Sequence, residues 1–210
     1  MGSKARDSRQ AILDRLRSRE VTPVELPAIF GDDSISQVAI GFDDPPTQFA
    51  GTVEAVGGLC LQVGSMQEAL NKLEQDEVYR DAARRCSLVG DEIPGNVNLQ
   101  EIEDPHDLSS LDFLIARAEF GVAENGAMWI TDRDIRHRAS LFITQHLALV
   151  VSRHSIISNM HQAYERIGQP ETPFGVFIAG PSKTADIEQS LVLGAHGCRT
   201  LTVFLVDEPA

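Results

Sequence analysis

The chain has 210 residues, enough for one α/β domain with an additional arm and for a core that needs no covalent or metal staple. Its 18 Lys and Arg against 31 Asp and Glu leave a net charge of −13, which repels a nucleic-acid backbone from the average surface, so no nucleic-acid partner is expected. The 3 cysteines, Cys60, Cys86 and Cys198, lie far apart and form no Cys-x-x-Cys or Cys/His cluster, which excludes the usual zinc and iron–sulfur patterns and fits a reducing cytoplasm.

Lys4 to Glu20 carries apolar Ala11, Ile12 and Leu16 at helical spacing among charged neighbours, which predicts an amphipathic helix and no signal peptide. From Val21 to Gln48 the pattern dissolves, because Pro23, Pro27, Pro45 and Pro46 with Gly31 and Gly41 oppose a long regular element. Residues 1–48 are therefore expected to be a helix and a proline-rich arm, and 49–210 the α/β domain proper. An arm of this kind either packs on another subunit, giving a homo-oligomer, or is a plain linker.

Val53 to Val63 reads as extended and apolar with a Gly57-Gly58 break, and Ser65 then caps a helix through Met66, Ala69, Leu70 and Leu73. Cys86 to Val89 reads as a short buried strand ended by Gly90-Asp91. Asp91 to Asp112 holds seven acids and no Lys or Arg, the composition of a solvated loop. Glu119 to Ala123 and Ala127 to Thr131 are extended runs around Glu124-Asn125-Gly126, a tight-hairpin signal because Asn and Gly tolerate positive φ.

Leu147 to Val151 is the next predicted strand, and Leu141 to Val151, interrupted by Thr144, Gln145 and His146, is too short to cross a bilayer. A helix follows over Ser155 to Ile167 with Gly168 as its C-cap. Phe174 to Ala179 and Leu201 to Val206 are predicted strands flanking a helix over Thr184 to Leu193. Strands alternating with helices imply a Rossmann-like, mainly parallel sheet with helices on both faces.

The candidate binding turn follows Ala179. Gly180 lets the backbone approach a ligand, Pro181 fixes the chain, Ser182 and Thr184 cap a helix or donate to an oxyanion, and Lys183 supplies a compact positive charge. Free amides at a helix start hold anions, so a small anionic ligand is expected here. Asp186 and Glu188 either contact that ligand or stabilise the first helical turn, and His196 and Arg199 either face it or neutralise the helix end.

Glu124 is the candidate catalytic carboxylate, as base or nucleophile at a hairpin tip, with Asn125 and Gly126 beside it as ligand contacts. His137, His146, His154 and His161 show no metal-ligand spacing, so no metal is expected.

Ile115 to Gly126 and Gly180 to Gly197 together resemble the lactate-utilization protein C family, the LUD or YkgG domain. That resemblance implies a fold like those of NagB, ribose-5-phosphate isomerase (RpiA) and CoA transferases. It also implies a cytoplasmic accessory subunit in the oxidation of L-lactate to pyruvate, beside iron–sulfur partner subunits that carry the clusters, with no cofactor in this chain itself. Two positions depart from the family pattern: Asn125 stands where threonine is usual, and Lys183 where arginine is frequent, which keeps the charge but loses bidentate geometry. Ala123-Glu124-Asn125-Gly126 also resembles the Ser-Glu-Asn-Gly signature of CoA transferases, which would make Glu124 an acyl-accepting nucleophile.

Overall fold

The computed structural model describes residues 3–18, 39–169, 171–185, 191–193 and 197–208. The chain divides into two units, Met1–Val38 and Ala39–Ala210. In the first, the expected amphipathic helix is α1, Ser3–Arg17, ending on Arg15 and Arg17 where cations suit the helix dipole.

The second unit begins with α2, Pro45–Ala55, where sequence reasoning placed the end of an irregular arm and the start of a strand. The two prolines occupy the first helical turn, whose N–H groups need no intrahelical partner, and Asp44 caps it by accepting from Thr47 N. Gly57 and Gly58 then end the helix, so the extended segment is only β1, Leu59–Val63. Ser65 caps α3, Met66–Gln75, as expected: its hydroxyl accepts from Glu68 N while Glu68 reaches back to Gly64 N at 2.9 Å. A short α4, Glu77–Asp81, follows, then β2, Arg85–Ser87.

The acidic run is no plain solvated loop. Two 3₁₀ turns, Leu99–Glu101 and Pro105–Ser110, turn its acids outward and bury Ile93, Leu99, Leu108 and Leu111. It leads into β3, Phe113–Arg117, a central strand that sequence reasoning did not isolate.

The Asn-Gly hairpin is present: β4, Phe120–Val122, pairs antiparallel with β5, Ala127–Thr131. After the one-turn α5, Ser140–Ile143, comes β6, His146–Ser152. The helix expected from Ser155 starts later, because Ile156–Ile157 forms β7 and Asn159 caps α6, Met160–Ile167, with Gly168 closing it at φ 52°. β8 is Gly175–Ile178 and the last strand of the unit is β11, Thr200–Val206.

Between those two, the expected helix over Thr184 to Leu193 is overturned at both ends. Lys183–Ala185 is β9 and Leu191–Leu193 is β10, paired antiparallel with Thr184 opposite Val192. The β-branched and Leu-rich ends suit a ladder, and the pairing outweighs the helical spacing of the apolar residues. Residues 186–190 lie outside the described residues.

The parallel sheet runs β1-β11-β6-β3-β2, every pair parallel. Strand alternation sends Phe113, Ile115, Ala148, Val150 and Phe204 to one face, under Met66, Ala69 and Leu73 of α3 and Tyr79 of α4. Leu114, Leu147, Leu149 and Val203 go to the other face, where they meet Phe49 and Val53 of α2. That cluster also holds Met128, Ile130 and Ile178 of a second sheet, ordered β7-β4-β5-β8, which the sequence pattern did not separate from the first. Ala163 of α6 covers the outer face of this second sheet, against Phe120, Val122 and Ala127. The α/β class with a parallel central sheet and helices on both faces is the one observed.

Candidate functional site

The turn singled out from sequence sits at the amino-terminal edge of the parallel sheet, against the end of α2. Gly180 has φ 76°, and a Cβ there would lie 2.8 Å from Val56 O, so the position admits glycine alone without strain. Ser182 N donates to Cys198 O at 3.0 Å, and a Cβ on Gly197 would meet Ser182 Cβ at 2.8 Å, which fixes the turn on the entry to β11. Lys183 is exposed, and its Nζ lies 3.5 Å from the Cβ position of Gly57, at the negative end of α2.

The helix start that was to gather free amides here is replaced by β9. Thr184 contributes backbone to that strand. Asp186, Glu188 and His196 lie outside the described residues. Arg199 is exposed; its N–H donates to Gln145 O at 2.7 Å, and its charge adds to burial in lowering the pKa of His146.

The Glu124 hairpin tip also meets α2. Gly126 has φ 68°, and a Cβ there would lie 3.2 Å from Val53 N, while Thr52 Oγ1 donates to Ala123 O at 2.9 Å. The two sequence-chosen turns thus touch one helix about one turn apart, at Val53 and Val56. Glu124 itself points along α6: its Oε2 accepts from Met160 N at 2.9 Å, and Asn125 Oδ1 accepts from Ala127 N at 3.0 Å within the turn.

A cleft that sequence reasoning missed opens at the opposite edge, beyond the carboxyl ends of β3, β6 and β11. It measures about 360 Å³, with a floor of Ala116, Ala118, Ile135, Val150 and Val206. Open α/β sheets bind ligands at this edge, because strand ends there diverge into loops that carry polar groups over an apolar floor.

Arg117, the last residue of β3, and Arg133, just past β5, stand on the cleft rim. Among the described residues each makes one ion pair, through Nη2, Arg117 to Glu92 at 2.8 Å and Arg133 to Glu171 at 2.9 Å, and about half or more of each side chain is exposed. Between them Glu119 Oε1 accepts from Thr131 Oγ1 at 2.6 Å. A smaller space of about 230 Å³ continues past Glu119, Thr131 and Arg133 towards Trp129 and Arg166. The signal that could have located this site is positional: Arg117 and Ser152 end apolar runs, where a parallel sheet places its ligand groups.

Among the described residues no group of three or more His, Cys, Asp or Glu is placed to hold a metal ion, and no helix is long and apolar enough to cross a membrane. The three thiols are buried, and burial raises the pKa of each.

The LUD domain model matches residues 7–206. The chain is 29% identical over 140 residues to lactate utilization protein C of Oceanobacillus iheyensis, covering 63% of this chain and 57% of that protein. It therefore spans a little over half the length of that relative. It is 25% identical over 172 residues to the uncharacterized protein YkgG of Escherichia coli, covering 77% of this chain and 71% of that protein. The crystal structure of a DUF162 family protein from Deinococcus radiodurans matches with a TM-score of 0.56 at 17% identity, over 77% of this chain and 96% of that one, a likeness of fold.

Proposed function

The chain belongs to the LUD domain family, and from that premise we propose that it serves lactate utilization as an accessory subunit of a cytoplasmic L-lactate-oxidising complex. The observation that carries this is the family match across nearly the whole chain, together with relatives named lactate utilization protein C. In this proposal iron–sulfur partner subunits carry the electrons and this chain binds a small anionic ligand, with the exposed Lys183 ammonium at the turn after Gly180 as one contact. Such a division of labour suits a chain whose cysteines are buried as isolated thiols.

Deleting the gene, with any paralogues, is expected to abolish growth on L-lactate and leave growth on glucose intact. A tagged copy is expected to co-purify with iron–sulfur subunits. Normal growth on lactate in the deletion strain removes the proposal.

A further inference from the structure

The geometry points to the carboxyl-edge cleft as a binding site for 2-hydroxycarboxylates that carry an aliphatic side chain larger than the methyl of lactate. The inference takes its ligand class from the lactate-utilization proposal, and the size from the cleft itself.

Three features of the cleft meet three parts of such a molecule. The carboxylate needs a planar pair of donors, and Arg117 and Arg133 each offer the guanidinium N–H groups left over from their single ion pairs to Glu92 and Glu171. Glu119, Asp134 and Glu208 also line the cleft, so the two arginines serve the carboxylate by direct contact and not through a net positive field. The hydroxyl needs an acceptor: Glu119 spends Oε1 on Thr131 and keeps Oε2 to receive the ligand's proton, while Thr131 retains lone pairs to accept from it as well. The side chain needs an apolar floor, which Ala116, Ala118, Ile135, Val150 and Val206 provide.

Size decides between lactate and its larger homologues. A cleft of about 360 Å³ has room for roughly a dozen waters at about 30 Å³ each, whereas lactate has only about half a dozen heavy atoms. Lactate would fill only part of the cleft. A branched aliphatic chain covers the apolar floor, and each buried methylene adds roughly fourfold in affinity. The hydroxyl gives specificity of a different kind, since a ligand lacking it leaves the Glu119 carboxylate without that partner.

The test is calorimetric titration of the full chain with L-lactate, with 2-hydroxyisocaproate and with 4-methylpentanoate, which lacks the hydroxyl. The wild type is expected to bind 2-hydroxyisocaproate at least tenfold more tightly than L-lactate. Arg117→Gln is expected to weaken that binding about tenfold, with Tm tracked as the folding control. Glu119→Gln is expected to reduce the preference for the hydroxy acid over 4-methylpentanoate at least threefold while retaining the Thr131 contact. Lys72→Ala, which removes a cation paired with Glu68 on α3 and outside the cleft lining, is expected to leave all three titrations unchanged. No saturable binding of 2-hydroxyisocaproate, equal affinity for it and lactate, or affinity unchanged in Arg117→Gln overturns the inference. Its failure is distinguishable from failure of the lactate reading: growth lost on deletion with a silent titration removes the cleft alone, and tight binding with normal growth removes the pathway role alone.

Discussion

Glu124 Oε2 accepts a hydrogen bond from the backbone N–H of Met160 at 2.9 Å, so the carboxylate with the strongest sequence claim to nucleophilic chemistry closes the start of α6. A negative charge at this place satisfies an orphan donor and suits the helix dipole. Glu124→Ala is expected to cost about 0.5–2 kcal/mol, the range of a lost cap, and to lower Tm by a few degrees. Thermal unfolding measures it. Wild-type protein incubated with acyl-CoA and borohydride is expected to show no adduct at Glu124; an adduct together with an unchanged Tm in Glu124→Ala would restore the transferase reading.

Lys183 extends its ammonium over Gly57 at the end of α2. If it also grips a ligand, Lys183→Ala weakens binding of inorganic phosphate by about 1–3 kcal/mol, the scale of a charge-assisted hydrogen bond. Isothermal titration with phosphate reads this directly. Equal affinity in the two proteins assigns the lysine to the helix end alone.

Gly175 is fixed by its neighbour across the sheet. A Cβ there would clash with Cζ2 and Cη2 of Trp129, whose indole packs against Phe177 at a centroid distance of 4.7 Å. Gly175→Val is expected to destabilise the protein by about 1–3 kcal/mol through overpacking, and to shift the emission of Trp129, the chain's one tryptophan. Denaturant unfolding followed by fluorescence reports both effects. An unshifted spectrum and an unchanged midpoint would mean that the ring yields without cost.

Burial pushes the thiols of Cys60 and Cys86 from the ordinary value of 9.0 up to about 11. In the folded protein they keep their protons between pH 9 and 11, where the unfolded chain releases its own. Stability from this source is therefore complete below about pH 9 and declines as pH rises towards 11. The expected outcome is a Tm that falls over this window more steeply in wild type than in a Cys60→Ala, Cys86→Ala double variant. Thiol reagents are expected to label the native protein slowly at pH 8 and rapidly once it is unfolded.

What the sequence made legible followed from strong local chemistry. Ser65 before Met66, Asn125-Gly126 between extended runs, and the apolar stretches ending at Val151 and Val206 each dictate their element almost without tertiary help. What it concealed was decided by pairing and packing. Pro45 and Pro46 look like breakers until they are seen in a first helical turn, and the apolar spacing from Thr184 to Leu193 suits a helix as well as a ladder. β3 was hidden behind an acidic segment whose leucines are buried. The cleft was invisible for a related reason: Arg117 and Glu119 sit two residues apart, but Arg133 lies beyond β5, and only the pairing of β4 with β5 brings it to the same edge.

β11 lies between β1 and β6, and among the described residues β1 finds its sheet partner only in β11. On a ribosome an interior strand of this sheet is thus supplied by the last of its five strands to be synthesised. β3 and β6 can associate during elongation, but β1 must wait, its hydrogen-bonding edge unfilled, until β11 has emerged from the exit tunnel. Nascent chains stalled before Thr200 would therefore be the form most dependent on chaperones.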